Sequence, residues 1–214
     1  MAGVPLAMHL RPTMEQEERL WSAGIRYVAG VDEVGRGAAV SAVVAAAVVL
    51  PVGFRGLDAV RDSKVLSATA RVQLSIAIHD VAVTVALGAA SIQEIERLNV
   101  RGATALAMQR ALRRAGAWEH AVIDGLPMKE LAGERCTAIV DGDALCLSIA
   151  CASVVAKVAR DRLLRLLAAH HPGYGWEHNA GYLTAEHRAA LRRLGATPHH
   201  RLRFLRSTLA TGAG

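Results

Sequence analysis

Aromatic residues make up only 4% of this chain, and cysteine occurs three times. With so few rings, the core has to be packed from Val, Leu, Ile and Ala. Cys136, Cys146 and Cys151 are too few and wrongly spaced for a disulfide framework or a CxxC metal site, which fits a reducing compartment. The N-terminus turns charged before an apolar run of useful length develops, so no secretory signal is expected. The longest apolar stretch, 38–54, is broken by Ser41, Pro51 and Gly53 and is too short and too rich in valine for a membrane helix. A soluble cytoplasmic protein without a membrane partner is expected. Lysine is scarce: among 25 basic side chains only Lys64, Lys129 and Lys157 are not arginine. Alongside the richness in Ala, this looks like a coding bias, so the arginines are not read one by one. Neither a GxGxxG nor a GK[ST] segment occurs, which excludes the common nucleotide-binding loops.

What is present is an ordinary apolar content, 52%, over 214 residues. That suits one domain with a real core and excludes global disorder. The formal charge is +6 and the pI near 9.8. A basic surface is the expected footprint of a polyanionic partner.

Along the chain, a helix is expected from Thr13, where Thr13-Met-Glu-Gln16 has the form of a capping box, to Ser22. Tyr27–Val31 reads as a strand stopping at Asp32-Glu33 and a Gly-rich turn. Val40–Leu50 reads as a strand buried on both faces, because its apolarity is nearly continuous. Further strands are expected at 81–90, 120–124 and 137–140. Helices are expected at 67–80, from the capping box Ser91-Ile-Gln-Glu94 to 115 with a break near Asn99, at 148–169, and through most of 184–209. Adjacent strands followed by strands alternating with helices predict an α/β mixed sheet with helices on both faces. Residues 1–214 are expected to form one domain, of which 172–214 is a helical C-terminal extension.

The acids are not spread evenly. Asp32 and Glu33 close one strand, Asp124 closes another, and Asp143 precedes the long helix. Carboxylates at strand ends of an α/β sheet can converge on one edge. Such a cluster is self-repelling unless cations are bound. Oxygen ligands favour hard ions, and two Mg²⁺ or Mn²⁺ ions can clamp the attacking and leaving oxygens of a phosphodiester. The plain alternative is that each acid caps a turn or a helix.

The residues Val31-Asp-Glu-Val-Gly-Arg-Gly37 and Val43-Val-Ala-Ala-Ala-Val-Val-Leu50 resemble the N-terminal signature of the ribonuclease HII family. The resemblance runs on through Asp62-Ser-Lys64, Ile123-Asp-Gly125, Gly142-Asp143, Ser148-Ile-Ala-Cys-Ala-Ser153, Ala156-Lys-Val-Ala-Arg-Asp161, Pro172-Gly-Tyr-Gly175, Gly181-Tyr182 and His200-Arg201. It implies a ribonuclease H-like fold with a C-terminal helical segment. It also implies a metal-dependent endonuclease that cuts RNA in RNA–DNA hybrids and at single ribonucleotides in duplex DNA. The family's four metal-binding carboxylates fall on Asp32, Glu33, Asp124 and Asp143. Its Gly-Arg-Gly turn, where backbone approaches the ribose 2′-hydroxyl, falls on Gly35, Arg36 and Gly37, and its junction-reading tyrosine on Tyr182. Lys64 and Lys157 are candidates for backbone phosphates, against ordinary surface roles.

The chain departs from the family pattern in three places. Pro-Leu-Ala-Gly-Pro is replaced by Ala38-Ala-Val-Ser-Ala42, which is expected to loosen or reshape the loop holding Gly37. The usual His-Lys before Gly181 is Asn179-Ala180, and Arg203 stands where Ser precedes Phe204. Asp141 reads as a solvated turn residue, Asp161 as an ion-pair partner of Arg160 and Arg162, and Cys151 as packing. The histidines near the C-terminus lack zinc-ligand spacing. Two other readings are kept: a nuclease or strand-transfer enzyme of the same fold acting on DNA, and a non-catalytic nucleic-acid binder. A monomer is expected.

Overall fold

The computed structural model describes residues 11–60, 66–131, 133 and 135–211. Asp62, Ser63 and Lys64 lie outside them. Five strands form one sheet: β1 (Val28–Val34), β2 (Val43–Val49), β3 (Thr84–Ala90), β4 (His120–Asp124) and β5 (Cys136–Ile139). Their order is β3-β2-β1-β4-β5. Strands β1, β2 and β3 pair antiparallel, whereas β4 runs parallel to both β1 and β5. The parallel pairs need crossovers; among the described residues β4 and β5 are joined through a short 3-10 turn at Lys129–Leu131.

The main helices are α1 (Glu15–Ser22), α2 (Ala68–Val81), α3 (Ile92–Ala115), the short α4 (Gly142–Leu145), and α5 (Leu147–His170). Every residue of β2 is buried, because both faces are covered. On one face Ala45 and Ala47 meet Ala103, Ala107 and Met108 of α3. On the other, Ala46 and Val48 meet Ala150, Cys151 and Val154 of α5 together with Ile78 of α2. The sheet sits close to α5: a Cβ on Gly30 of β1 would lie 2.1 Å from the Ser148 carbonyl carbon. Small residues at this contact bring α5 within reach of the carboxylate of Asp32.

Three helices follow α5: α6 (Trp176–Asn179), α7 (Ala185–Leu194) and α8 (Leu202–Thr211). Tyr174, Trp176, Ala190 and Leu205 pack with Leu164 of α5 on Ala39 and Val40. Four of the chain's eight aromatic residues lie in 174–204, so the few rings are concentrated in this region.

Several local expectations are corrected. The Ser91–Glu94 capping box is formed, but Thr13–Gln16 is not one: the residue before α1 is Met14 and no side chain caps it. Helix α3 is broken at Asn99, whose φ is 59° and whose Oδ1 accepts the N–H groups of Arg101 and Gly102, capping the second half. Strand β1 runs through Asp32 and Glu33 instead of ending before them. Strand β2 starts at Val43, because residues 38–42 form a loop with Ser41 at φ 74°. No described helix is long and apolar enough to cross a membrane.

Candidate active site

Strands β1 and β4 run parallel in register, with Val31 opposite Ile123. Asp32 and Asp124 therefore stand side by side at the carboxyl ends of neighbouring strands. Ile123 faces α3 while Val122 packs with Ile149 of α5, so the alternation turns Asp124 to the α5 face. Asp124 Oδ1 accepts the backbone N–H of Gly142 at 2.8 Å and of Asp143 at 3.4 Å, tying β4 to the first turn of α4. Asp141, exposed and left-handed at φ 54°, makes the turn before it.

Asp32, Glu33, Gly35, Arg36, Gly37, Asp124, Asp143, Ser153, Lys157, Arg160 and Tyr182 line one cleft of about 300 Å³. Lys64, also a candidate phosphate contact, lies outside the described residues. Asp32, Glu33 and Asp124 offer carboxylate oxygens within 4.8 Å of one another. Asp143 lines the same cleft without joining that close trio. Asp32 is 5% exposed. Burial raises its carboxyl well above the usual carboxylate range. The charges of Glu33 and Asp124 push it the same way, and a hydrogen bond from Ser153 opposes them. Glu33 is also raised, by burial first, although Arg36 Nη1 at 3.1 Å from Oε1 pulls it down.

The donor set fits a hard divalent cation. One buried carboxylate, Asp32, and two partly buried ones, Glu33 and Asp124, face one another, and Glu33 Oε2 is buried with no hydrogen-bond partner. An orphaned buried carboxylate oxygen is costly unless something outside the protein binds it. Asp32, Glu33, Asp124 and Asp143 are the residues that could hold such an ion.

The opposite wall is built differently. Gly35 has φ 95°, and a Cβ there would sit 2.2 Å from Arg160 Nε, so the turn admits only glycine. Gly37 is ordinary in backbone, and a Cβ would make a normal 3.5 Å contact with the Tyr182 ring. The fold itself therefore does not require glycine at 37. Tyr182 is 48% exposed and lines the cleft.

Two buried arginines hold this wall, and the sequence reading did not single them out as site residues. Arg160 is 1% exposed and donates to the carbonyls of Val40, Ala42 and Ala180. Arg201 donates to Ser41 O at 3.0 and 2.8 Å and to Arg36 O at 2.9 Å. These bonds clamp the loop after Gly37 although its prolines are lost. The signal available was that both arginines fall inside motifs. Arginine abundance hid them, since burial cannot be read from composition. Asn179 also has a local role: its Oδ1 accepts Gly181 N–H and its amide donates to Tyr174 O. Lys157 donates to Asp161 at 2.6 Å, and Asp161 also meets Arg71 at 3.6 Å. Asp161 therefore pairs with these two, not with Arg160 or Arg162, because one helical turn separates it from Lys157.

Comparison with known proteins bears on the same residues. A family model described as Ribonuclease HII matches residues 29–207. The ribonuclease HII of Synechococcus sp. (strain JA-3-3Ab) is 53% identical over 197 residues, 91% of this chain and 89% of that protein. The ribonuclease HII of Rhodospirillum rubrum is 53% identical over 195 residues, 87% of this chain and 88% of its own length. Among solved structures, the ribonuclease HII in the PCNA complex from Archaeoglobus fulgidus superposes with a TM-score of 0.69 at 22% identity, covering 83% of this chain and 94% of that one. A ribonuclease H2 from Pyrococcus horikoshii gives 0.69 at 22%, covering 83% and 93%. At such identities these structures speak for the ribonuclease H-like fold. The chain belongs to the ribonuclease HII family and is an endonuclease of the ribonuclease H class.

Proposed function

We propose that this chain cleaves RNA in RNA–DNA hybrids and the phosphodiester on the 5′ side of single ribonucleotides in duplex DNA, leaving 3′-hydroxyl and 5′-phosphate ends. What supports this reading is one cleft in which the acidic trio faces the Gly35–Gly37 turn and an exposed Tyr182 ring. Acids alone are compatible with any phosphodiesterase. The facing wall adds a surface for telling ribose from deoxyribose.

In this proposal Asp32, Glu33, Asp124 and Asp143 hold the cations, and the buried Glu33 Oε2 gains its missing partner. Two Mg²⁺ or Mn²⁺ ions would supply positive charge to the attacking and leaving oxygens. Ser153 orients Asp32. Arg36 holds Glu33 from the solvent side at 3.1 Å. The main chain at Gly37 comes against the 2′-hydroxyl, the donor and acceptor that distinguishes RNA from DNA. The Tyr182 ring stacks on the neighbouring sugar or base. Lys157 reaches a backbone phosphate once it leaves Asp161, and Lys64 does likewise from the segment outside the described residues. The positive net charge draws the duplex in, so binding weakens as salt rises between roughly 50 and 200 mM. The protein acts as a monomer in the cytoplasm, with 172–214 as a helical extension of a single domain.

The test is a duplex DNA carrying one ribonucleotide, with and without Mg²⁺ or Mn²⁺, beside a long hybrid and an all-DNA duplex. Divalent-dependent cleavage 5′ of the ribonucleotide, with the all-DNA duplex intact, is the expected outcome. Equal cleavage of all-DNA duplex would favour a DNA nuclease of this fold, and binding without cleavage a non-catalytic binder.

A further inference from the structure

His187, on the first turn of α7, is fully buried, and His200 is 1% exposed. Their Nε2 atoms lie 3.1 Å apart. The surrounding partners decide which nitrogen carries each proton. His200 Nδ1 lies 2.8 Å from the backbone N–H of Thr197, which can only donate, so this nitrogen accepts and the proton sits on Nε2. His187 Nδ1 lies 2.9 Å from the Tyr182 carbonyl oxygen, which can only accept, so this nitrogen donates and Nε2 is left to accept. Its single lone pair is shared between His200 Nε2–H and the Trp176 indole N–H, each at 3.1 Å. Two neutral imidazoles of opposite tautomer thus satisfy every polar atom they bury.

Both ends of this pair reach the recognition wall. Tyr182 donates its N–H to Asn179 O at 3.0 Å and receives His187 at its carbonyl, so its main chain is pinned on both sides. The segment 199–201 pairs with the loop after Gly37: Ser41 N–H donates to His199 O at 3.0 Å, Arg201 N–H to Ala39 O at 2.8 Å, and the Arg201 side chain to Arg36 O. Ala39 N–H in turn donates to Gly181 O at 2.9 Å. The two histidines therefore bridge the turn that carries Tyr182 and the loop that follows the 35–37 turn.

We infer that His187 and His200 are positioning residues for ribonucleotide recognition: the proton chain from His200 through His187 to the Tyr182 carbonyl sets the distance between the Tyr182 ring and Gly37. This rests on the proposed roles of Tyr182 and Gly37. Losing the chain lets the ring drift and weakens discrimination between a single ribonucleotide and a long hybrid. It does not touch the groups that hold the cations.

The measured quantity is the ratio of kcat/KM on a single-ribonucleotide duplex to that on a long hybrid. His187→Leu removes the donor and should lower this ratio roughly three- to tenfold, the range one hydrogen bond carries. His187→Asn, whose amide replaces the donor at Nδ1, should restore most of it. In a Tyr182→Ala background His187→Leu should lower the ratio no further, an outcome a merely structural role does not produce. A ratio unchanged in His187→Leu while Tyr182→Ala lowers it overturns the inference and leaves the reading of Tyr182 standing. A ratio unchanged in Tyr182→Ala overturns both. Should His187→Leu not fold, ¹⁵N spectra of the unaltered protein decide: His187 protonated on Nδ1 and His200 on Nε2 support the chain, and any other pairing of tautomers overturns it.

Discussion

The two walls of the cleft solve opposite problems. On the acidic wall, Asp32, Glu33 and Asp124 are crowded, partly desolvated and short of positive charge, and Glu33 keeps a buried oxygen without a partner. On the facing wall, two buried arginines and two buried histidines spend their hydrogen bonds on main-chain groups of 36–42, 180, 182 and 197. The first wall is incomplete without something from outside the protein. The second is complete in itself, with the Ser41 hydroxyl as its one orphaned buried side-chain atom among the described residues. A wall that binds cations is built under electrostatic stress. A wall that reads shape has to be rigid before the substrate arrives.

The largest expected effect breaks the acidic wall. Asp32→Asn and Asp124→Asn should each bring cleavage to background while duplex binding persists, since the lost charge holds cations and repels phosphate. The same variants should be more heat-stable than the unaltered protein without metal, and should lose the rise in Tm that Mn²⁺ gives. Retained cleavage in either variant rejects the proposed site.

The next effect breaks the facing wall. Arg201→Met leaves the carbonyls of Arg36 and Ser41 without their donor. The buried Ser41 acceptor so orphaned costs about 1–3 kcal/mol, to be read by urea unfolding. A loss below about 0.5 kcal/mol would show that the clamp is dispensable.

The glycines sharpen the contrast within that wall. Gly35→Ala should lose stability, since φ 95° and Arg160 both reject a side chain. Gly37→Ala should melt close to the unaltered protein yet cleave poorly, because only the substrate needs that space. Equal Tm losses in the two variants contradict this division.

The walls should also answer pH with opposite signs. His200 is held down to about 4 by burial first and then by the neighbouring His187, with His199 and His171 adding to it. The unfolded chain binds that proton below the ordinary 6.5, so stability is lost as pH falls from 6.5 toward 4. Asp32 is raised instead. Its contribution is present below the ordinary 3.8 and is lost as pH rises through the elevated value. Tm measured against pH without metal should therefore lose part of its acid slope in His200→Gln and steepen in Asp32→Asn. The smallest expected effect is a gain: Ser41→Gly removes a left-handed serine and its orphaned hydroxyl, and should stabilise by about 1 kcal/mol.

Much of this molecule was legible in its residues. The nearly continuous apolarity of 40–50 announced a strand covered on both faces, and Ser91-Ile-Gln-Glu94 announced the start of α3. The motif order from Val31 to Arg201 pointed to the family before any contact was known. These features are local, or depend on residue types at fixed spacing, so the chain itself carries them. What it could not carry was partnership across long separations. Arg160 and Arg201 look like any other arginine in a chain full of them until the fold buries both against residues 36–42. His187 and His200 show no metal-ligand spacing, and only their hydrogen bonds with Tyr182 O and Thr197 N–H set their tautomers. Ser41 and Gly37 sit four residues apart, yet strain falls on the serine and free space on the glycine. Backbone conformation and the atoms around each site decide that, and those belong to the tertiary structure alone.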